Sequence, residues 1–282
     1  MSNFSLVNNT TSSGAQYRVS ATNNALNQTI QRLSSGLRIN KSGDDAAGLA
    51  VANGYRSDAS VLSQGIRNAN DGISTLQIVD GGLNTISNLL DRASTLAAQS
   101  ASSTFSGNRA TLSAELTSVV GEIDRQAQNI GLATGLSTAP ESRFAKQIDT
   151  YVGGGASATA TGNVVSVDLS TSHADSAGLG VGTLDISTEA AAKTSIATIR
   201  TAVGTLGSIQ GTVGAGQNNL TQAIDLASTQ VVNYKSAESS IRDADVATEA
   251  SNLARLSTLQ QAGIAALAQA NQSGNAVLSL LR

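Results

Sequence analysis

Few side chains in this sequence are placed to do chemistry. His173 is the single histidine, and a Ser-His-Asp relay needs one as its base. It stands in a Ser/Thr-rich stretch with no flanking motif, which reads as a solvent-exposed loop histidine. Asp44 and Asp45 are adjacent carboxylates, a pairing that acid–base catalysis can use. They fall at a predicted helix start, where the dipole favours negative charge, so capping is the role expected of them. Gly153, Gly154 and Gly155 are not followed by the Lys-Ser/Thr of a phosphate loop. The string GLGVGTL at 178–184 imitates a glycine-rich nucleotide loop but does not fit GxGxxG followed by a helix; it reads as a turn between strands. No HExxH zinc helix occurs, and the absence of cysteine excludes disulfides, thiolate nucleophiles and Cys-ligated metals. No cofactor and no enzymatic activity are expected.

Composition turns attention from a site to a scaffold. Of 282 residues, 40% are apolar but only 2% aromatic, and there is a single proline, Pro140. Aromatics supply much of the area buried in a thick core. An apolar complement of Ala, Leu, Val and Ile suits thin layers between long helices, and a nearly proline-free chain permits such helices to run uninterrupted. The net charge of −3 offers no polybasic surface for nucleic acid. No apolar run is long enough to span a membrane as a helix, so no membrane insertion is expected. The first residues, MSNFSLVNNTTSSGAQY, have neither the basic nor the apolar region of a cleaved signal peptide; export, if it occurs, takes another route.

Apolar spacing then predicts the elements. Val19, Leu26, Ile30, Leu33 and Leu37 recur at coiled-coil intervals, giving a helix from about 15 to 37. Gly43 interrupts it, and Ser42 with Asp45 resembles a capping box for a second helix beginning near Asp44. That helix carries Leu62, Ile66, Ala69, Ile73, Leu76, Val79, Leu83, Ile86, Leu90 and Ala97. A third carries Leu112, Leu116, Val119, Ile123 and Ile130. Between 131 and 187 the texture changes to Gly, Ser and Thr, with Val165, Val167 and Leu169, and then Leu184 and Ile186, alternating with polar residues. A small β region or a flexible excursion fits this segment. Helical spacing returns at Ile196, Ile199, Val203, Leu206 and Val213 and resumes at Leu220, Ile224, Val231, Tyr234 and Ile241. A last helix carries Leu253, Leu256, Ile264 and Leu267.

Charge is distributed unevenly over these elements. Arg18 is the only charged residue among the first 31, and none lies between Arg255 and Arg282. A solvated helix normally sets charges opposite its apolar stripe. Here the opposite faces carry Asn, Gln, Ser, Thr and Ala, which are buried at much lower cost than ions once hydrogen-bonded. Two helices bury one seam between them and leave their other faces wet, so both ends look built to be enclosed by further copies of the chain.

The strings LSSGLRINKSGDDAAGLAVA (33–52) and RNANDGISTLQIVDGGLN (67–84) resemble the N-terminal signature of bacterial flagellins. SAESSIRDADVATEASNLARLSTLQQAGIAALAQANQSGNAVLSLLR (236–282) is similar to the flagellin C-terminus. The resemblance covers roughly 20–130 and 200–282, in collinear order. It departs in three places: the start lacks the family's Ile-Asn-Thr-Asn string, NQSGNAVL has no proline after Asn-Gln, and the middle is short.

The resemblance implies a mainly α protein, a long antiparallel helical bundle with terminal coiled-coil helices and a small central β region. It implies a discontinuous terminal domain of 1–42 plus 241–282, a bundle of 43–130 plus 188–240, and a solvent-facing region over 131–187. The function implied is that of a filament subunit for motility, a homo-oligomer exported by the type III apparatus. Val19, Leu26, Ile30, Leu33, Leu37, Leu253, Leu256, Ile264 and Leu267 would form its self-assembly seam. Implied partners are an export chaperone at the C-terminal helix, the filament cap and the hook-junction proteins. Some members are detected by a Toll-like receptor, and Arg92, Leu96 and Glu115 align with its contacts. A hook–filament junction protein and a surface module that binds glycan or a receptor through the Ser/Thr-rich middle are the alternative readings.

Overall fold

In a computed structural model of the chain, residues 9–105, 107–134, 144–153 and 161–279 are described, with side chains up to residue 272. Five helices dominate: α1 (Thr10–Ser35), α2 (Ala46–Ser100), α3 (Arg109–Asn129), α4 (Glu189–Arg242) and α5 (Val246–Ser279). Two strands, β1 (Gln147–Tyr151) and β2 (Val164–Asp168), lie between α3 and α4. The helix limits follow from local chemistry. Asn9 caps α1, its side-chain oxygen accepting the Ser12 N–H at 3.0 Å, so the helix starts five residues before the apolar seam alone predicts. Gly36 closes α1 in the left-handed conformation (φ 70°), which glycine adopts without a Cβ penalty.

The capping box expected from Ser42 and Asp45 is not formed. Asp45 caps α2 alone, accepting the Gly48 N–H at 2.8 Å. Asp44 instead closes the preceding turn, its carboxylate accepting the Asn40 and Lys41 N–H groups at 3.0 Å each. Those two backbone bonds hold the Asp44 carboxyl below its ordinary value.

The chain divides into two compact units, one of Met1–Ser57 with Asn233–Arg282 and one of Asp58–Val232, the division falling within α2 and α4. The second unit contains the dry core. On α2 the buried residues Leu62, Ala69, Leu76, Leu83, Leu90 and Ala97 recur every seventh position, as do Ala192, Ile199, Leu206, Val213, Leu220 and Ala227 on α4. This strict repeat keeps one seam on each helix facing its partner. α4 runs without a break through the point where the pattern reads as two stretches. Leu112, Leu116, Ile123 and Ala127 bring α3 onto the same core.

β1 and β2 pair antiparallel, with Ile148 opposite Val167 and Thr150 opposite Val165. The alternation of Val165 and Val167 is therefore a true strand signal. That of Leu184 and Ile186 is not: no strand forms there, and both side chains pack against Ala93, Leu96, Leu112, Leu116 and Ile199. Ser100 holds this segment from beneath, its hydroxyl donating to the Ile186 carbonyl at 2.6 Å. GLGVGTL forms turns, as expected, but they connect β2 to α4 rather than two strands. Gly135, Pro140, Gly154 and Gly155 lie outside the described residues.

Two carboxylates fasten the loop between β2 and α4. Asp124 on α3 accepts the Ser176 N–H at 2.7 Å and its hydroxyl at 2.9 Å. Asp175, almost wholly buried, accepts the Thr134 N–H and the Gly178 N–H at 2.9 Å each, and the Thr134 hydroxyl. Burial pushes the Asp175 carboxyl up, but the bonds from Thr134 and Gly178 outweigh it and hold the carboxyl below its ordinary value of 3.8. A folded value below the unfolded one means that this stabilisation is fully present above about pH 4 and is lost as pH falls through the lowered value. Asp175→Ala should therefore cost about 1–3 kcal/mol at neutral pH by stranding buried donors. It should also weaken the loop's acid dependence, both being read from protease susceptibility of the segment between 134 and 178.

Candidate assembly surface

α1 and α5 lie side by side, antiparallel, in the first unit. Their contacts run in order along both helices. The Asn9 amide donates to the Ala270 carbonyl at 3.0 Å, and the Ser12 hydroxyl to Asn271 Oδ1 at 2.7 Å. Further along, Val19 faces Gly263 so closely that a Cβ there would lie 2.9 Å from a Val19 methyl. The Gln260 amide donates to Asn23 Oδ1 at 2.6 Å. Arg32 Nη1 then meets Glu249 Oε1 at 3.4 Å. Beyond it the connecting segments pair as well: Leu37 and Asp243 form a β-bridge, the Arg38 N–H donates to the Arg242 carbonyl at 2.7 Å, and the Ala244 N–H to the Gly36 carbonyl at 2.9 Å. Asp245 caps α5, accepting the Thr248 hydroxyl and the Thr248 and Ala247 N–H groups, which hold its carboxyl below the ordinary value.

Little of this pair is dry. Among the described residues, Thr29 is the one residue of α1 that is buried, and Glu249 and Ala270 are the buried ones of α5. Of the expected seam, Val19, Leu26, Leu33, Leu253, Leu256 and Leu267 are half-buried on the two helices, and Leu37 is half-buried in the connector past the end of α1. Ile30 and Ile264 are not: they are 47% and 54% exposed. Tyr17, at 79%, and Leu259, at 50%, are exposed as well. These two and the ion pair are features that the apolar periodicity does not mark.

The expected receptor contacts divide in the second unit. The Arg92 guanidinium donates to the Glu115 carboxylate, Nε at 3.1 Å, linking α2 to α3 across an accessible surface. Leu96 lies beneath, 2% exposed, in the core with Leu112 and Leu116. His173 is in a loop, but half-buried rather than exposed, with a buried Nδ1 that has no hydrogen-bond partner among the described residues. Its Cβ and carbonyl approach Gly178 so closely that a side chain there would collide with them. No described helix is long and apolar enough to cross a membrane, and no described group of three His, Asp or Glu side chains is placed to hold a metal ion.

Known proteins share this pattern at both ends. Residues 7–131 match the bacterial flagellin N-terminal helical region, and residues 196–281 match the C-terminal helical region. A flagellin of Halalkalibacterium halodurans is 34% identical over 90% of this chain and 91% of its own. A flagellin of Treponema pallidum is 32% identical, over 95% and 96%. A flagellin of Bacillus subtilis is 33% identical, over 94% and 95%.

Proposed function

The chain belongs to the bacterial flagellin family, and from that membership we propose that the uncovered faces of α1 and α5 are what its copies bury against one another. It is a structural subunit of the flagellar filament, an extracellular homopolymer. The observation that supports α1 and α5 as the packing surface is the combination found there: no charge over most of their length, and apolar side chains left open. Val19, Leu26, Leu33, Leu37, Leu253, Leu256 and Leu267 hold the pair together, while Ile30 and Ile264 face outward to neighbouring subunits. In the polymer, 1–42 with 241–282 form the inner domain, 43–130 with 188–240 the bundle, and 131–187 the solvent-facing part.

Other partners in this reading are an export chaperone covering α5 before assembly, and the cap and hook-junction proteins at the filament ends. Leu259 and Ile264 are the side chains such a chaperone would shield, during export through the type III apparatus. For the innate receptor, Arg92 and Glu115 offer the accessible contact and Leu96 supports it from within the bundle.

Point substitution tests the surface. Ile30→Asp or Ile264→Asp leaves the isolated subunit almost unchanged, since both sites are open to water in it. Each places an unpaired carboxylate in every interface of the polymer, which costs several kcal/mol and raises the critical concentration about 100-fold or more. Sedimentation of filaments against free subunit measures it. Assembly at the unsubstituted concentration would remove α1 and α5 from the proposal.

A further inference from the structure

The seam of α1 and α5 is made largely of Ala, Leu, Gln, Asn, Ser and Thr, and by itself it tolerates sliding. Weakly differentiated faces of this kind accept several alignments seven residues apart. Yet the structure has one alignment, with Asn9 at Ala270, Asn23 at Gln260 and Arg32 at Glu249. We propose that the Arg32–Glu249 ion pair sets the register of this helix pair, and through it the one subunit shape that the filament accepts. This rests on the reading of α1 and α5 as the assembly surface.

Three observations carry it. Among the described residues of α5, Glu249 is the one acidic or basic side chain that is buried, its side chain 11% exposed against 34% for Arg32. Between the helices themselves the other polar rungs join neutral amides, hydroxyls and a backbone carbonyl, while the backbone bridge of Leu37 with Asp243 lies beyond the helix ends, in the connectors. The ion pair has no substitute after a slip. A slip of seven residues one way sets Glu249 beside Ile39 and Arg32 beside Leu256; the other way it sets Glu249 beside Ala25 and Arg32 beside Arg242. The second leaves the carboxylate among neutral side chains and brings two guanidinium groups together, and the first carries it past the end of α1; removing one partner of a buried pair costs far more than the pair is worth when intact. A single buried polar contact fixes register in coiled coils for the same reason.

Both groups also suit their helix ends, with Arg32 in the last turn of α1 and Glu249 in the first turn of α5. That is the local explanation, in which each stabilises its own helix through the dipole. Exchanging the charges separates the two roles, because it restores the pair while placing the wrong sign at each terminus.

Since the chain contains no cysteine, disulfide formation reports register cleanly. Val19→Cys with Gly263→Cys reads the observed alignment in assembled filaments. Val19→Cys with Ala270→Cys, or with Leu256→Cys, reads a slip in either direction. The first pair should cross-link under mild oxidation and the others should not; failure of that control sinks the underlying reading of a paired assembly surface. Arg32→Glu or Glu249→Arg should then lower the in-register yield about tenfold or more and raise a slipped product, or prevent polymerisation. The exchanged variant, Arg32→Glu with Glu249→Arg, should recover both polymer and in-register product. Single variants that polymerise with undiminished in-register yield overturn the proposal, and so does an exchanged variant that stays as defective as the singles.

Discussion

Removing residues 1–40, or residues 243–282, leaves a soluble helical monomer that no longer forms filaments. Each deletion takes away one of the two helices that hydrogen-bond from Asn9 to Ala270 and from Arg32 to Glu249. The partner helix then has nothing to bury even its single seam, and a helix of this composition is marginal in water without packing. The bundle does not depend on that pair. Leu62, Leu76, Leu83, Leu90, Leu116, Ile123, Leu206 and Leu220, all inside Asp58–Val232, are almost completely dry. Buried apolar area contributes about 25 cal/mol per Å², and that core is untouched by either cut. Helical circular dichroism and a cooperative unfolding transition should therefore persist, while sedimentation and negative-stain microscopy find no polymer. Filaments from either truncation would mean that the contacts of assembly lie elsewhere in the chain.

Much of the architecture is legible in the sequence, because long helices write their packing in a period that short elements cannot imitate. Leu62 to Ala97 on α2 and Ala192 to Ala227 on α4 each hold a seven-residue repeat over six positions, and every one is buried. Val165 and Val167 read correctly as a strand. Leu184 and Ile186 show the same alternation and form none. Two apolar side chains on an extended loop meet a helical groove in the same rhythm as they would meet a sheet face, and only a pairing partner distinguishes the cases. What spacing does not carry is partnership across distance. Arg32 and Glu249 are 217 positions apart, and nothing near either announces the other. His173 reads as exposed because its neighbours are polar; it is half-buried, and the missing side chain of Gly178 is what leaves room for its Cβ and carbonyl. The wetness of Ile30 beside the burial of Thr29 likewise depends on where α5 lies, not on the sequence of α1.

Glycine provides the second large effect. Within α2, Gly65 and Gly81 are sequence-equivalent, each an interior helical glycine that local propensity disfavours by about 1 kcal/mol relative to alanine. Their surroundings are opposite. A Cβ on Gly81 would meet nothing within 4 Å. One on Gly65 would fall inside the contact distance of the Val152 carbonyl, just past the end of β1. The obstacle there is backbone, so no rotamer change relieves it. The hairpin must lift from α2, straining the bond by which the Asn68 amide reaches the Tyr151 carbonyl at 3.0 Å and disturbing the contact of Thr150 with Gly72. Overpacking of this kind costs about 1–3 kcal/mol, and a rigid backbone partner puts Gly65→Ala at the upper end, net of the propensity gained. Gly81→Ala should instead stabilise by about 0.5–1 kcal/mol. Urea unfolding of the two variants in parallel reads the difference, at a combined separation of about 3 kcal/mol. Opposite expectations for one substitution in one helix isolate the cause: if both variants move the same way, the hairpin is not seated on α2 through Gly65.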